Sequence, residues 1–333
     1  MSETLLTVED LKVHFKLPRP HLFVPNPIVH AVDGVSFGIK RGTTFGLVGE
    51  SGSGKTTVAL AVMRLAEITS GRVNLGDQTI SHLDGDDLRH ARKRMQIIFQ
   101  DPYSSLNPRM RAGAIIREPL DLMEIGEESG RDEVVSKLFS NVGLRPEQQA
   151  LFPHQFSGGQ RQRIGVARAL ASQPDLVVCD EPVSALDVAI QAQIINLLRD
   201  LQRDFNLTYL FISHDLGVVQ HFCDEIAVMY LGQIVEQADR VSLFSKPLHP
   251  YTWALLSAVP SADPSAKDRG QRVRLQGDPP SPIDPPAGCR FAPRCPFAEE
   301  RCKVETPKLR TFGENHVAAC HLISDDGVAP HTR

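Results

Sequence analysis

The stretch Thr44-Phe45-Gly46-Leu47-Val48-Gly49-Glu50-Ser51-Gly52-Ser53-Gly54-Lys55-Thr56-Thr57 decides the fold. Its first five residues have the length and apolar character of a short buried strand. An apolar helix is expected next, over Thr56 to Leu65. The turn between them, Gly49 to Thr56, fits the G-x-x-x-x-G-K-[ST] pattern of a phosphate loop. Polyphosphate oxygens need many donors at close range. Glycines let a backbone wrap tightly with its N–H groups pointing inward, and the helix N-terminus adds positive partial charge. Lys55 is therefore expected on the β- and γ-phosphates, and the Thr56 hydroxyl on Mg²⁺. Gly49, Ser51, Gly52, Ser53, Gly54 and Thr57 complete the expected cradle. A chance glycine-rich turn would lack both the strand before and the helix after.

Working outward, Leu176-Val177-Val178-Cys179-Asp180-Glu181 is an apolar strand that ends in two carboxylates. Alone, such a pair is most often a solvated strand end. Downstream of a phosphate loop, Asp180 reads as the Mg²⁺ carboxylate and Glu181 as the general base for the attacking water. Leu11, Val13 and Phe15 alternate with Lys12, His14 and Lys16, as a strand does, and Val29 to Ile39 alternates again. The prolines of 17–20 and 25–27 require a loop between them. Helical patterning recurs at Asp132–Asn141, Gln160–Ser172 and Val188–Phe205, and buried strands at Leu176–Cys179 and Tyr209–Ile212. Strands alternating with helices predict an α/β fold with a parallel sheet covered on both faces. Only one phosphate loop is present, so one nucleotide-binding domain is expected.

The 333 residues allow one large domain and a smaller one. A net charge of −4 offers no strong basic field for nucleic acid. No run of about 18 apolar residues is found, and Met1 to Asp10 does not resemble a signal peptide. A cytoplasmic protein is expected, with any membrane-spanning part supplied by other chains. Prolines become dense from Pro260 to Pro296, which predicts a linker near residue 259 and a small module beyond it.

Phe156-Ser157-Gly158-Gly159-Gln160-Arg161-Gln162-Arg163 opens a helix about 100 residues after the phosphate loop. Ser157 and two glycines before a helix make a second anion-binding terminus, which one bound ATP does not require. The segment resembles the signature motif of ATP-binding-cassette ATPases, with Phe156 where many members have Leu. The resemblance covers roughly residues 5–250 and implies a RecA-like core with helical and antiparallel β subdomains. In that family two cassettes pair head to tail, and Ser157, Gly158, Gly159 and Gln160 would cap the γ-phosphate held by the other chain. It also implies that Gln100 senses Mg²⁺ and the transmembrane partner. Ser184-Ala185-Leu186-Asp187 would cross the dimer interface, and His214 would contact the γ-phosphate. Phe15 would stack on adenine, although an apolar strand residue is more often core.

Three stretches resemble the oligopeptide and dipeptide importer branch. They are Phe99-Gln100-Asp101-Pro102-Tyr103-Ser104-Ser105-Leu106-Asn107-Pro108-Arg109, His249-Pro250-Tyr251-Thr252, and Gly288-Cys289-Arg290-Phe291-Ala292-Pro293-Arg294-Cys295-Pro296. The implied function is ATP hydrolysis at the cytoplasmic face of the membrane, driving peptide import. The implied partners are a second, different cassette subunit, two permease subunits and an extracytoplasmic solute-binding protein. Importers of nickel or other small solutes, and a soluble ATPase of the same superfamily, stand as alternatives. The implied division is a nucleotide-binding domain over 1–258 and a C-terminal module over 259–333. Cys289, Cys295, Cys302 and Cys320 crowd into that module, in a pattern that suggests metal binding. Four thiolates can hold zinc or an iron–sulfur cluster. The resemblance implies [4Fe–4S], while free thiols, an oxidative disulfide or a ligand set that includes His316 or His321 remain open.

Overall fold

A computed structural model describes residues 3–19, 26–101, 103–259, 275 and 277–332. Pro20 and Pro25, Pro102 of the glutamine loop, and the linker stretch 260–274 lie outside the described residues. In chain order the elements begin with β1 (Thr4–Lys16), β2 (Ile28–Lys40), β3 (Thr44–Val48), α1 (Lys55–Val62), β4 (Ser70–Leu75), β5 (Gln78–Thr79), α2 (Gly85–Lys93) and β6 (Met95–Ile98). Next come α3 (Ala112–Leu122), α4 (Arg131–Asn141), α5 (Gly158–Leu170), β7 (Leu176–Asp180), α6 (Val188–Phe205), β8 (Thr208–Ser213) and α7 (Leu216–Phe222). The chain ends with β9 (Glu225–Tyr230), β10 (Gln233–Asp239), α8 (Arg240–Ser245), α9 (Pro250–Ser257), α10 (Glu300–Val304), β11 (Arg310–Thr311) and β12 (His316–Ala318). No described helix is long and apolar enough to cross a membrane.

The chain forms two compact units: Met1–Thr7 with Gly38–Thr44 and Val73–Ile212, and Val8–Phe37 with Phe45–Arg72 and Ser213–Arg333. In the first unit β6, β7 and β8 pair in parallel, Met95 opposite Leu176 and Leu176 opposite Thr208. All five residues of β7 are buried, as a parallel strand covered on both faces must be. The Asp175 carboxylate receives Arg41 at 2.8 Å and Arg94 at 2.7 Å. Burial pushes this carboxyl up, and the hydrogen bonds and charges of Arg94 and Arg41 more than offset it, leaving it below the usual carboxylate range. Helix α6 ends where Asn206 turns left-handed, with φ 51°.

In the second unit the order is β3-β9-β10-β12-β11. β3 and β9 run parallel, and the pairs β9–β10, β10–β12 and β12–β11 are antiparallel. The expected parallel sheet is thus present but is extended by an antiparallel run. Helix α1 is shorter than expected because Arg64 turns left-handed just beyond it, with φ 54°.

Glu236 of β10 is 0% exposed and organises this unit. Its carboxylate accepts the backbone N–H groups of Leu248 at 2.7 Å and His249 at 2.8 Å, and bonds His316 Nε2 of β12 at 2.7 Å. A buried carboxylate is tolerated only with such a donor set. His249 caps α9 through Nδ1, which accepts the Tyr251 N–H at 3.0 Å. That bond needs the neutral ring. Burial pushes the His249 pKa down to about 4, against a partial upward pull from Glu236. An unfolded histidine titrates near ~6.5. The neutral ring therefore contributes its stability above pH ~6.5 and loses it as the pH falls toward 4, by ~2 kcal/mol at pH ~5. Calorimetric melts at pH 7 and pH 5 are expected to show this loss in the wild type. In His249→Asn, whose amide still caps the helix but does not titrate, the loss is expected to shrink. An equal loss in both proteins would remove His249 as its source.

Candidate functional site

The predicted site residues are divided between the two units. The phosphate loop lies in the second, where β3 ends. A Cβ at Gly49 would stand 2.2 Å from the Met229 carbonyl oxygen, and one at Gly54 would stand 2.2 Å from that of Ala31. Both residues also hold positive φ, 153° and 104°. Glycine is required at each by backbone contact alone. Lys55 is 4% exposed, and its Nζ donates to the Gly49 and Glu50 carbonyls at 2.9 Å each. The ammonium thus lies across the inside of the loop, where phosphate would offer a stronger, charged acceptor. Ser51 and Gly52 are exposed at the tip, and Ser53 is buried with its carbonyl accepting from Gly232 N–H at 2.9 Å. Thr56 is exposed on the first turn of α1, and Thr57 is half-buried beside it.

Glu50 is held at three points. Its N–H donates to the Tyr251 hydroxyl at 2.9 Å, its carbonyl accepts from Lys55, and its carboxylate accepts Arg294 at 2.6 and 3.1 Å. The sequence signals neither Glu50 nor Arg294, except that Arg290 and Arg294 recur four residues apart between Cys289 and Cys295. Arg290 bonds Asp33 and the Leu231 carbonyl. Phe15 is 43% exposed at the end of β1, so its ring is accessible for stacking. His214 is exposed beside Asp215, whose carboxylate caps α7 by accepting Gly217 N–H at 2.8 Å.

The carboxylate half lies in the first unit. Asp180 is 5% exposed at the end of β7. Glu181 follows in a left-handed turn, with φ 48°, and its carbonyl accepts the Ser184 hydroxyl at 3.1 Å. Gln100 Nε2 donates to Glu181 Oε2 at 3.1 Å. The fold thus brings together two predicted residues 81 positions apart. A carboxylate offers about four acceptor sites, so an amide donor orients it without removing its capacity to take a proton.

Ser157 caps α5 in a reciprocal box: Gln160 N–H donates to Ser157 Oγ at 3.3 Å, and Gln160 Oε1 accepts Ser157 N–H at 3.0 Å. Gly158 stands against Leu186, and a Cβ on Gly159 would meet Ile190 Cγ2 at 2.6 Å. Gly159 therefore already serves packing within this chain. Arg161, the next residue after the box, lies 3.9 Å over the ring of Tyr103, which joins the glutamine-loop extension to α5.

Cys289, Cys295, Cys302 and Cys320 are free thiols, and each interacts electrostatically with the other three. Burial pushes Cys295 up to about 12 and Cys320 up to about 11. Among the described residues, His14, His30 and Asp33 form the one set of three or more metal-type ligand atoms within 4.8 Å of one another. In that set Asp33 is already bound to Arg290. No three of the four cysteine sulfurs lie within 4.8 Å of one another.

Residues 32–184 match the ABC transporter family, and residues 235–302 match the oligopeptide/dipeptide transporter C-terminal region. The chain is 50% identical over 322 residues to the probable peptide ABC transporter ATP-binding protein y4tS of Sinorhizobium fredii, covering 97% of this chain and 91% of the relative. It is 49% identical over 325 residues to the oligopeptide transport ATP-binding protein AppF of Bacillus subtilis, covering 97% and 98%. Among solved structures, the dimeric ATP-binding cassette MJ0796 in a post-hydrolysis state bound to ADP and Pi is similar with a TM-score of 0.63 at 26% identity. That match covers 71% of this chain and 99% of the other. Near-complete coverage at such identity, over a chain that carries the phosphate loop and the carboxylate pair, places it in the family of ABC transporter ATPases with the oligopeptide/dipeptide-type C-terminal region.

Proposed function

We propose that the chain powers the import of di- and oligopeptides across the cytoplasmic membrane, working from its cytoplasmic face through two permease subunits. The observation that carries the cargo is the match of residues 235–302 to the oligopeptide/dipeptide transporter C-terminal region. The end-to-end similarity to peptide-transport subunits supports it. An extracytoplasmic solute-binding protein would deliver the peptide, and a second, different cassette subunit would complete the motor. The solved relative described as dimeric supports pairing of cassettes. The domain division at 258/259 belongs to the same reading.

Each residue has a chemical role in this reading. Lys55 exchanges its loop carbonyls for phosphate oxygens, and the loop N–H groups from Gly49 to Thr57 surround them. Bound Mg²⁺ would neutralise charge on the β- and γ-phosphates, with Thr56, Gln100 and Asp180 as its holders. Glu181, oriented by Gln100, takes the proton of the attacking water, and His214 donates toward the γ-phosphate. Phe15 stacks on adenine. Ser157, Gly158, Gly159 and Gln160 complete the site of the partner cassette. Closure of two cassettes on ATP would drive the permease outward, and hydrolysis would reset it.

For the four cysteines, [4Fe–4S] is the reading that the resemblance of this tail to peptide-importer ATPases supports. Bound there, the cluster would cross-link a short proline-rich segment. Protein prepared without oxygen is expected to be brown, to contain iron and to absorb near ~400 nm, with Cys302→Ser losing the colour. Colourless, iron-free wild-type protein would sink this assignment.

Glu181→Gln is expected to bind ATP like the wild type and to hydrolyse it about 10²–10⁴-fold more slowly, because an amide cannot accept the proton. Cells whose only copy carries this change should fail to take up labelled short peptide. Wild-type turnover would refute the base assignment, and wild-type uptake by cells whose variant is inactive would refute the peptide cargo. Lys55→Ala is expected to weaken ATP binding by about tenfold or more, through loss of a charge-assisted contact. Unchanged affinity in an equilibrium titration would contradict its placement.

A further inference from the structure

We propose that Arg294 is a positioning residue for ATP: acting through Glu50, it lets the turn between Cys289 and Cys295 set the shape and charge of the phosphate loop. The proposal rests on reading Gly49–Thr56 as the phosphate loop.

The contact is built, not incidental. Arg294 ends a short 3₁₀ turn, Ala292–Arg294, and its N–H donates to the Phe291 carbonyl at 3.0 Å. Its side chain is 6% exposed, while that of Glu50 is 32% exposed. A guanidinium that gives up most of its hydration needs a charged acceptor, and Glu50 accepts two of its N–H groups in the bidentate arrangement that suits arginine alone. The guanidinium also lies 5.9 Å from the ring centre of Tyr230. Tyr230 packs edge-on against Tyr251 at 4.7 Å and Phe291 at 5.3 Å. Tyr251 in turn holds the Glu50 N–H. The aromatic cluster and Arg294 thus grip one loop residue by its side chain and its backbone together.

Two consequences reach the nucleotide. The first is geometric. Lys55 rests on the Glu50 carbonyl, so displacement of Glu50 displaces the ammonium that must meet the phosphates. The second is electrostatic. Glu50 places a carboxylate within a loop built for polyphosphate, where an unpaired negative charge opposes ligand binding. Arg294 pairs that charge. Loss of Arg294 would leave the carboxylate bare beside the ligand. Removing the carboxylate as well would relieve the repulsion. A role for Arg294 confined to packing its own turn predicts no such relief.

The test is a double-mutant cycle on the full-length chain, with ATP affinity measured by equilibrium titration and folding followed by thermal melts. Arg294→Ala is expected to raise the Kd for ATP by about tenfold. Glu50→Gln combined with Arg294→Ala is expected to return it to within about threefold of the wild type. Arg294→Lys keeps the charge but not the fork and is expected to fall between. Wild-type affinity in Arg294→Ala overturns the proposal, and so does an equal loss in both backgrounds. Should Arg294→Ala not fold, Arg294→Lys measured with and without Glu50→Gln decides the question by the same criterion. Lys55→Ala serves as the control: if it too leaves ATP affinity unchanged, the phosphate-loop reading fails, not the role of Arg294 alone.

Discussion

The second unit is built around a shortage of space. At Gly49 and Gly54 the phosphate loop passes so near the carbonyls of Met229 and Ala31 that no Cβ fits. A loop that must turn its own N–H groups inward has to lean on its neighbours with its other edge. Those neighbours then become fixed. The turn after β9 meets the loop through Gly232, β2 supplies the Ala31 carbonyl, and Tyr251 at the start of α9 receives the Glu50 N–H. The end of β9, the start of α9 and β2 all meet the loop at its outer edge.

In the first unit the corresponding constraint is a strand that ends in charge. β7 is apolar throughout until Asp180, and its burial on both faces leaves the two carboxylates only the strand end to occupy. Glu181 follows in a left-handed turn, and its carboxylate accepts Gln100 Nε2. The signature segment is also locally determined. Its capping box satisfies one orphan donor of α5, the Gln160 N–H, and Gly159 allows Ile190 to approach.

The sequence revealed what rests on local rules. Strand β3, the loop and α1 follow from one continuous pattern, and α6 appeared with its bounds because its periodicity is long and unbroken. The glutamine at position 100 was found through resemblance, since a lone glutamine after a strand carries no physical signal. The antiparallel extension β10–β12–β11 was not legible. Its strands are short, and β12 is three residues long, too few for period-2 alternation to register. Helix α3 was missed because Pro119 interrupts its pattern near its C-terminal end. Nothing in the sequence marks Glu236 or Glu50 as an anchor. Their partners stand 80 and 244 positions away, at His316 and Arg294, and no local rule connects residues at that distance.

Glu236 also changes what the end of this chain is. Its buried carboxylate takes one donor from a strand that begins only at residue 316. The last portion of the sequence is therefore not an appendage that recombination could exchange freely between relatives. Any replacement tail would have to return a strand to the edge of β10 and place a hydrogen-bond donor where His316 now stands. Among chains of this architecture, tails and cores are expected to be inherited together, as matched parts.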